Sequence, residues 1–133
     1  MNYCQEFYAE QTKLNPELVF ADINREMSTP FSAFLKLEKQ YVLSGSPERF
    51  IKKSGEQIIS QPIKGTRKRG GSTTEDLKLI EDLLKSEKDI SENIMIIDLV
   101  RNDLSITASK ASVKVDELCK IYTFEKVHQM IST

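Results

Sequence analysis

The sequence has 133 residues, which is enough for a domain with a hydrophobic core. It contains 19 basic and 20 acidic residues, so its overall charge gives no argument for binding nucleic acid or an acidic membrane. No apolar run approaches the roughly 20 residues of a membrane span, and no signal segment follows Met1. Cys4 and Cys119 form no CxxC pair, which favours two buried free thiols in a cytoplasmic protein over a disulfide or a metal site.

Hydrophobic periodicity predicts strands and one helix in the first half of the chain. Asn15 before Pro16 is typical of a helix start, because asparagine caps free backbone N–H groups and proline fits the first turn. Thr29-Pro30 ends that helix, since the residue before a proline disfavours helical backbone. In chain order, the predicted elements are a strand over 2–12, a helix over 16–27, a hairpin of strands over 31–37 and 41–44, and a second hairpin of strands over 50–53 and 56–63.

The second half of the chain predicts two helices followed by strands. Ser86-x-x-Asp89 is a capping box that starts the second of these helices. The run from Ile94 to Ile97 alone suggests a buried strand, but the cap and the length of the segment favour a helix. In chain order, the predicted elements are helices over 72–85 and 90–104, a strand over 112–122 with a bend at 116–117, and a strand over 127–131. We expect Leu77, Ile80, Leu83 and Leu84 to face inward from the first helix. The whole pattern predicts an α+β fold, in which helices pack on one face of antiparallel sheets.

The most informative stretch is QPIKGTRKRGG, from Gln61 to Gly71, in which Lys64 stands at the end of a predicted strand beside glycines. Three interpretations compete: a solvated basic loop, a phosphate loop and a nucleophilic lysine. The phosphate loop is rejected because Gly71 stands where G-x-x-x-x-G-K-S requires a lysine. A nucleophilic lysine must be uncharged, which requires desolvation or nearby cations. The basic run of residues 67–69 could supply those cations, although spacing alone leaves the solvated loop open.

Four motifs resemble the signatures of the chorismate-utilising enzymes, a family that includes anthranilate, isochorismate and aminodeoxychorismate synthases. They stand in the family's order and span nearly the whole chain. The motifs are Ser44-Gly45-Ser46-Pro47-Glu48-Arg49-Phe50, Pro62-Ile63-Lys64-Gly65-Thr66, the run ENIMIIDLVRNDL from Glu92 to Leu104, and Val127-His128-Gln129-Met130-Ile131-Ser132-Thr133. The resemblance implies one portion of the family's two-sheet sandwich, with residues 1–133 as the N-terminal part of a chorismate-binding catalytic domain whose later part is absent.

The resemblance implies covalent catalysis by Lys64. Family members that resemble aminodeoxychorismate synthase have lysine at this position, whereas anthranilate synthases usually have alanine. The lysine amine would add to C2 of chorismate while Glu48, as general acid, protonates the departing C4 hydroxyl; ammonia would then add at C4 and expel the lysine. Gly65 and Thr66 would line the chorismate pocket. From the residues alone, a carboxylate that faces a helix start would be the simpler explanation of Glu48.

The resemblance also implies a metal ion and a protein partner. Glu92 matches the family glutamate that binds magnesium, an ion that accepts one or two carboxylates together with water and substrate oxygens. Ammonia would come from a glutamine amidotransferase. Gln129 stands where anthranilate synthases place the histidine used to eliminate pyruvate, so this chain suits amination without elimination. The neighbouring His128 should point to the opposite face of its strand and is best explained as a packed or partly exposed histidine.

The implied function is amination of chorismate to 4-amino-4-deoxychorismate, for para-aminobenzoate and folate biosynthesis. Two alternatives remain: an anthranilate synthase, and a nucleic-acid-binding module that uses the basic loop over residues 64–69. That loop lacks interleaved aromatic residues, which argues against the binding module. The family's second metal glutamate and its substrate arginine are not found in this chain. We therefore expect the isolated chain to be inactive, and its open strand edges to favour self-association.

Overall fold

The computed structural model describes residues 4–133. Its internal contacts divide the chain into two units, one up to Pro47 and one over Glu48–Thr133. The chain combines helices with antiparallel strands, which confirms the predicted α+β class. Within the described part, every helix is too short or too polar to cross a membrane. Both thiols are free as expected, but Cys4 is exposed and Cys119 is half-buried, so the expectation that both are buried is wrong.

The first unit consists of one helix and one hairpin. Its elements are α1 (Pro16–Met27), β1 (Phe31–Leu37) and β2 (Gln40–Ser46). Asn15 caps α1 by accepting two first-turn N–H groups on its Oδ1, as predicted. Phe20 of α1 packs edge-on against Phe34 of β1, with ring centroids 5.5 Å apart. The predicted strand over 2–12 is wrong from residue 4 onward, where the backbone is irregular, and its first two residues lie outside the described part. An alternating pattern forms a strand only where a neighbouring strand pairs with it.

The second unit contains two antiparallel sheets and two helices. Its elements are β3 (Arg49–Ser54), β4 (Gln57–Gln61), β5 (Ile63–Lys68), α2 (Thr73–Lys85), α3 (Glu87–Thr107), β6 (Lys120–Thr123) and β7 (Val127–Ile131). Strands β3 and β4 form a hairpin, and a three-stranded sheet has the order β5-β7-β6. The predicted strand over 56–63 is therefore wrong at its end. Pro62 has no N–H group to continue the ladder, and Ile63 begins a new strand in a different sheet.

Local capping signals set the starts of both helices in this unit. The hydroxyl of Ser72 accepts the N–H of Glu75 at the start of α2, and that of Ser86 accepts the N–H of Asp89 at the start of α3. The choice of a helix over 90–104 is thereby confirmed. The predicted strand over 112–122 is wrong before residue 120, since residues 112–119 form no strand. Cys119, directly before β6, has left-handed backbone with φ of +52°, which does not continue a strand.

The buried core of the second unit is small. Both α2 and α3 pack against β5, and α3 also contacts β7. Of the predicted inward face of α2, Leu83 is fully buried but Leu77 and Leu84 are exposed. Asp89, Asn93 and Ile97 recur every four residues and therefore share one face of α3. The buried apolar side chains include Leu83, Ile97, Met130 and Ile131.

Large apolar side chains are also exposed in both units, among them Phe7 in the first, and Phe50 and Ile106 in the second. Exposed apolar area of this kind favours association with another surface. These exposed side chains agree with the expected self-association, which stays a prediction.

Candidate functional site

Strand β5 contains a β-bulge at Lys64 and Gly65. Between two consecutive register pairs, β5 advances by three residues while β7 advances by two, so β5 has one extra residue. Gly65 has φ of +92°, a backbone conformation that favours glycine. A bulge interrupts the ladder and re-aims the side chains within it. Lys64 therefore lies near the start of a strand and within its irregularity, and not at a strand's end as predicted. The flanking pairs are Ile63–Ile131 and Thr66–Gln129.

Gly65 packs directly against the helices. A Cβ atom at this position would lie 2.9 Å from Cδ1 of Leu83 and 2.9 Å from Cβ of Asp89. Real side chains do not approach that closely, so the site excludes any larger residue for steric reasons as well as for its backbone angle. The sequence suggested that a ligand could approach the backbone at these glycines. On this side of Gly65, helices α2 and α3 occupy that space instead.

A long-range hydrogen bond joins the side chain of Glu48 to the start of β5. Its Oε1 accepts the backbone N–H of Ile63, with an N···O distance of 3.0 Å. Glu48 is exposed and Lys64, the residue after Ile63, is half-buried. The helix-start explanation of Glu48 is wrong, because the element that follows it is strand β3. The Glu48 carboxylate thus contacts the backbone of Ile63, the residue that precedes Lys64.

The Lys64 backbone is contacted by α3. Nδ2 of Asn93 donates to the carbonyl oxygen of Lys64 over 3.5 Å and to that of Met130 over 3.1 Å. Asn93 is fully buried. Within residues 4–133, the Lys64 amine itself forms no ion pair or hydrogen bond. Sequence reasoning included Asn93 in a motif but assigned it no role, because its contacts join residues 29 and 37 positions apart.

The two arginines near Lys64 are ion-paired. Nε of Arg67 lies 2.6 Å from Oδ2 of Asp82, and its Nη2 lies 3.1 Å from Oδ2 of Asp89. The hydrogen bond with Asp82 raises the pKa of Arg67, and a hydrogen bond with Asp76 raises that of Arg69. Carboxylates therefore offset the arginine charges that the sequence offered as a source of positive potential for a reactive amine.

The glycine-rich turn after β5 is occupied by the protein's own carboxylates. The N–H of Gly70 donates to Oδ1 of Asp76, and the N–H of Gly71 donates to Oε2 of Glu75, each over 2.8 Å. Backbone N–H groups of this kind bind phosphate in a true phosphate loop. Here they are already used, which supports the rejection of the phosphate loop.

His128, for which a packed or a partly exposed position was expected, is fully buried in strand β7. Its Nε2 lies 2.8 Å from Oδ1 of Asp76, and its Nδ1 lies 2.9 Å from Oγ1 of Thr123. Gln129 points to the other face of the sheet, where its cross-strand neighbours are Thr66 and Tyr122, and it is 6% exposed. The Asp76 contact could not be predicted from the sequence, in which its one sign is an acidic residue in the first turn of α2.

Glu92 is half-buried on α3, next to Asn93. It shares a helix face with Met95 and Leu99, which are 62% and 54% exposed. Within the described range, no group of three or more His, Cys, Asp or Glu side chains could hold a metal ion. A carboxylate is nevertheless the donor type that magnesium accepts, and water and substrate oxygens can complete its shell. The Glu92 carboxylate therefore fits magnesium as a donor type. Glu92 is the one magnesium ligand that the sequence predicted.

A cavity of about 420 Å³ lies elsewhere in the second unit, between β4, the later half of α3 and residues 107–116. None of Glu48, Lys64 and Glu92 lines it. Its two basic side chains, Arg101 and Lys114, are each paired with a carboxylate. The size of this cavity does not by itself identify it as an active site, because the chemically distinctive groups lie at β5.

Comparison with known proteins identifies the family. A family described as "chorismate binding enzyme" matches residues 1–133. Aminodeoxychorismate synthase component 1 of Escherichia coli (strain K12) is 43% identical over 133 residues, which is 100% of this chain and 29% of that protein. Anthranilate synthase component 1 of Saccharolobus solfataricus is 34% identical over 126 residues, which is 95% of this chain and 30% of that protein.

A solved structure supports the fold. Anthranilate synthase component I from Streptococcus pneumoniae TIGR4 superimposes with a TM-score of 0.77 at 24% identity, covering 92% of this chain and 26% of that chain. The chain thus spans less than a third of the length of each of these relatives. The family match extends over every residue and agrees with the fold and the ordered motifs, so the chain belongs to the chorismate-binding enzyme family.

Proposed function

We propose that this chain is part of an aminodeoxychorismate synthase, which aminates chorismate at C4 to give 4-amino-4-deoxychorismate. Two observations support this assignment over an anthranilate synthase. The E. coli aminodeoxychorismate synthase relative is 43% identical, against 34% for the S. solfataricus anthranilate synthase. Lys64 also stands at the position that distinguishes the two activities within the family. Because the chain spans 29% of the E. coli relative, the proposal concerns the full-length protein.

The observation that carries the proposal is the 3.0 Å hydrogen bond from the Ile63 N–H to the Glu48 carboxylate. It supports the assignment because it joins a side chain that can give and take protons to the backbone of the residue before Lys64, across 15 positions of sequence. General acid catalysis requires such a group within reach of the departing oxygen. The bulge at Lys64 and Gly65 supports the same assignment, because bulges re-aim side chains and are frequent beside active sites.

The proposed reaction proceeds through a covalent adduct. The uncharged amine of Lys64 adds to C2 of chorismate, both ring double bonds shift (C1=C2 to C1=C6 and C5=C6 to C4=C5), and the C4–O bond breaks. Glu48 gives its proton to the departing oxygen, which leaves as water, and the new C2 ammonium loses a proton. Ammonia then adds at C4, both double bonds shift back to C5=C6 and C1=C2, and the C2–N bond breaks. Lys64 is released with a proton, the C4 nitrogen loses one, and the pyruvyl ether stays intact.

Residues around the bulge are proposed to favour amination over elimination. Gly65 and Thr66 would line the chorismate pocket, and Thr66 is the cross-strand neighbour of Gln129. A carboxamide carries no proton to or from a reacting group near neutral pH. Gln129 would therefore leave the pyruvyl group in place.

A metal ion and a partner protein complete the proposal. Glu92 would hold magnesium together with a substrate carboxylate and water, and the ion would neutralise the substrate's charge. A glutamine amidotransferase would supply ammonia. The name "component 1" of the E. coli relative supports a second component.

The test is product analysis of the full-length protein with chorismate, magnesium and ammonium. We expect aminodeoxychorismate, with its pyruvyl group retained and no free pyruvate. Formation of fluorescent anthranilate with an equal amount of pyruvate would overturn the proposal in favour of an anthranilate synthase. The basic-loop binding module is disfavoured because Arg67 and Arg69 are paired with carboxylates. Salt-dependent binding of an oligonucleotide without turnover of chorismate would favour it instead.

A further inference from the structure

Asn93 uses the full hydrogen-bonding capacity of its side-chain amide inside the second unit. Its two N–H groups donate to the carbonyl oxygens of Lys64 and Met130, at 3.5 Å and 3.1 Å. Its Oδ1 accepts from the hydroxyl of Ser132 at 2.5 Å and from the thiol of Cys119 at 3.8 Å. A primary amide offers two donor hydrogens and two acceptor lone pairs, so each has a partner here.

These contacts join three elements at the bulge. Asn93 belongs to α3, Lys64 to β5 and Met130 to β7. Between Ile63 and Thr66 the register of β5 with β7 is interrupted, so the ladder that would orient the backbone of Lys64 is disrupted there. The carbonyl of Lys64 instead receives a donor from a buried side chain of a helix.

Gly65, the second residue of the bulge, is also fixed. Gly65 lies against Leu83 and Asp89 so closely that no Cβ would fit. Asp89 is four residues before Asn93, on the same face of α3. One stripe of α3 thus contacts both residues of the bulge.

From this network we infer that Asn93 is a positioning residue for Lys64. It fixes the backbone of the bulge against α3 and β7, and thereby sets the direction of the Lys64 amine. The inference rests on the proposed function for its catalytic consequence. Whether the direction of the Lys64 amine depends on Asn93 is a structural question, and it can be measured without turnover of chorismate.

Two substitutions remove the donor side of the network in the full-length protein. In Asn93→Asp an oxygen replaces Nδ2 and faces two carbonyl oxygens, which is repulsive at nearly unchanged volume. Asn93→Ala removes the contacts without burying a charge, and it decides the question if the aspartate variant does not fold. The matched control is Ser132→Ala, which removes a partner of Oδ1 and leaves both carbonyl contacts in place.

Two readouts separate positioning from a merely structural role. The first is steady-state kinetics with chorismate and ammonium, where both Asn93 variants should lower kcat by about 10- to 100-fold with little change in KM. The second is trace acylation of lysines followed by peptide mass spectrometry. The labelling of Lys64 relative to the exposed Lys68 should shift by about threefold or more in both variants, as expected for loss of a buried hydrogen bond. Ser132→Ala should lower the melting temperature while leaving both readouts near wild type.

The outcomes are distinguishable. A folded Asn93→Ala protein with kcat within about twofold of wild type and an unchanged labelling ratio would overturn the inference. Equal loss of kcat in Ser132→Ala and Asn93→Ala would also overturn it, because the effect would then be general destabilisation. A wild-type protein that turns over no chorismate would overturn the proposed function, while the labelling ratio would still decide the role of Asn93.

Discussion

Nε2 of His128 lies 2.8 Å from Oδ1 of Asp76, and the two groups join strand β7 to the first turn of α2. The same carboxylate pairs with Arg69 at the end of β5, with 2.8 Å between Nη2 and Oδ2. It also accepts the N–H of Gly70. One carboxylate of α2 therefore connects the end of β5 opposite the bulge to strand β7, where His128 is 52 positions away in sequence.

Asp76 should make the stability of the second unit sensitive to acid. The hydrogen bonds with Arg69, Gly70 and His128 hold the pKa of Asp76 well below its usual range. Because the folded-state pKa is depressed, this stabilisation is fully present above about pH 4 and is lost as the pH falls below that value. Melting temperature measured against pH should fall on acidification below about pH 4, and the fall should be shallower in Asp76→Asn. An identical pH profile for Asp76→Asn would contradict this explanation.

Gly65 should tolerate substitution much less than another glycine with positive φ. Gly65→Ala creates contacts of 2.9 Å with Leu83 and Asp89 and strains the backbone at φ of +92°, so we expect a loss of about 2–4 kcal/mol in the free energy of unfolding. Gly55 is the matched control, because it has φ of +61° with no atom within 4 Å of an added Cβ. Gly55→Ala should cost only about 1–2 kcal/mol. Equal losses in denaturant unfolding would show that the packing of Gly65 does not matter.

The ion pair between Arg67 and Asp89 should contribute more than a surface pair. These side chains are 26% and 14% exposed, so Arg67→Ala leaves a half-buried carboxylate beside Gly65 and should cost about 1–3 kcal/mol. Arg25 and Asp22 form a comparable pair that is 69% and 63% exposed, and Arg25→Ala should cost no more than about 0.5 kcal/mol. Denaturant unfolding of both variants gives the comparison. If Arg67→Ala lowers the free energy of unfolding by less than Arg25→Ala does, burial does not strengthen this ion pair.

Glu48→Gln tests the proposed general acid in the full-length protein. Glutamine keeps the size of the side chain and can still accept the N–H of Ile63 through its carbonyl oxygen, but it has no proton to give. We expect kcat to fall by about 10²- to 10⁴-fold with a small change in melting temperature. Glu56→Gln, in the β3–β4 turn, should leave kcat unchanged. Retention of most activity in Glu48→Gln would assign the proton transfer to another group.

Elements set by neighbouring residues could be predicted from the sequence. Asn15 and Pro16 mark the start of α1, and Ser72 marks that of α2, because a capping hydrogen bond spans only two or three residues. The end of α1 at Thr29-Pro30 is equally local. The hairpin of β1 and β2 followed from two short apolar runs around a polar turn.

Features that depend on distant partners could not be predicted. By sequence the basic run after Lys64 is a candidate source of positive potential, but its arginines are paired with carboxylates of α2 and α3. The bulge at Lys64 and Gly65 exists only in the register with β7, more than 60 positions away. The proximity of Glu48 to β5 depends on a hydrogen bond across the β3–β4 hairpin. Resemblance to the family named the site residues, whereas the contacts that position them required the fold.

The most direct test of the proposed function is mass spectrometry of the full-length protein after incubation with chorismate and without ammonia. We expect an adduct with the mass of chorismate minus water on the peptide that contains Lys64. It should be absent in Lys64→Ala and retained in Lys68→Ala, an exposed lysine on the same strand. An adduct that persists in Lys64→Ala, or an active enzyme in which Lys64→Ala still forms aminodeoxychorismate at the wild-type rate, would contradict the proposal.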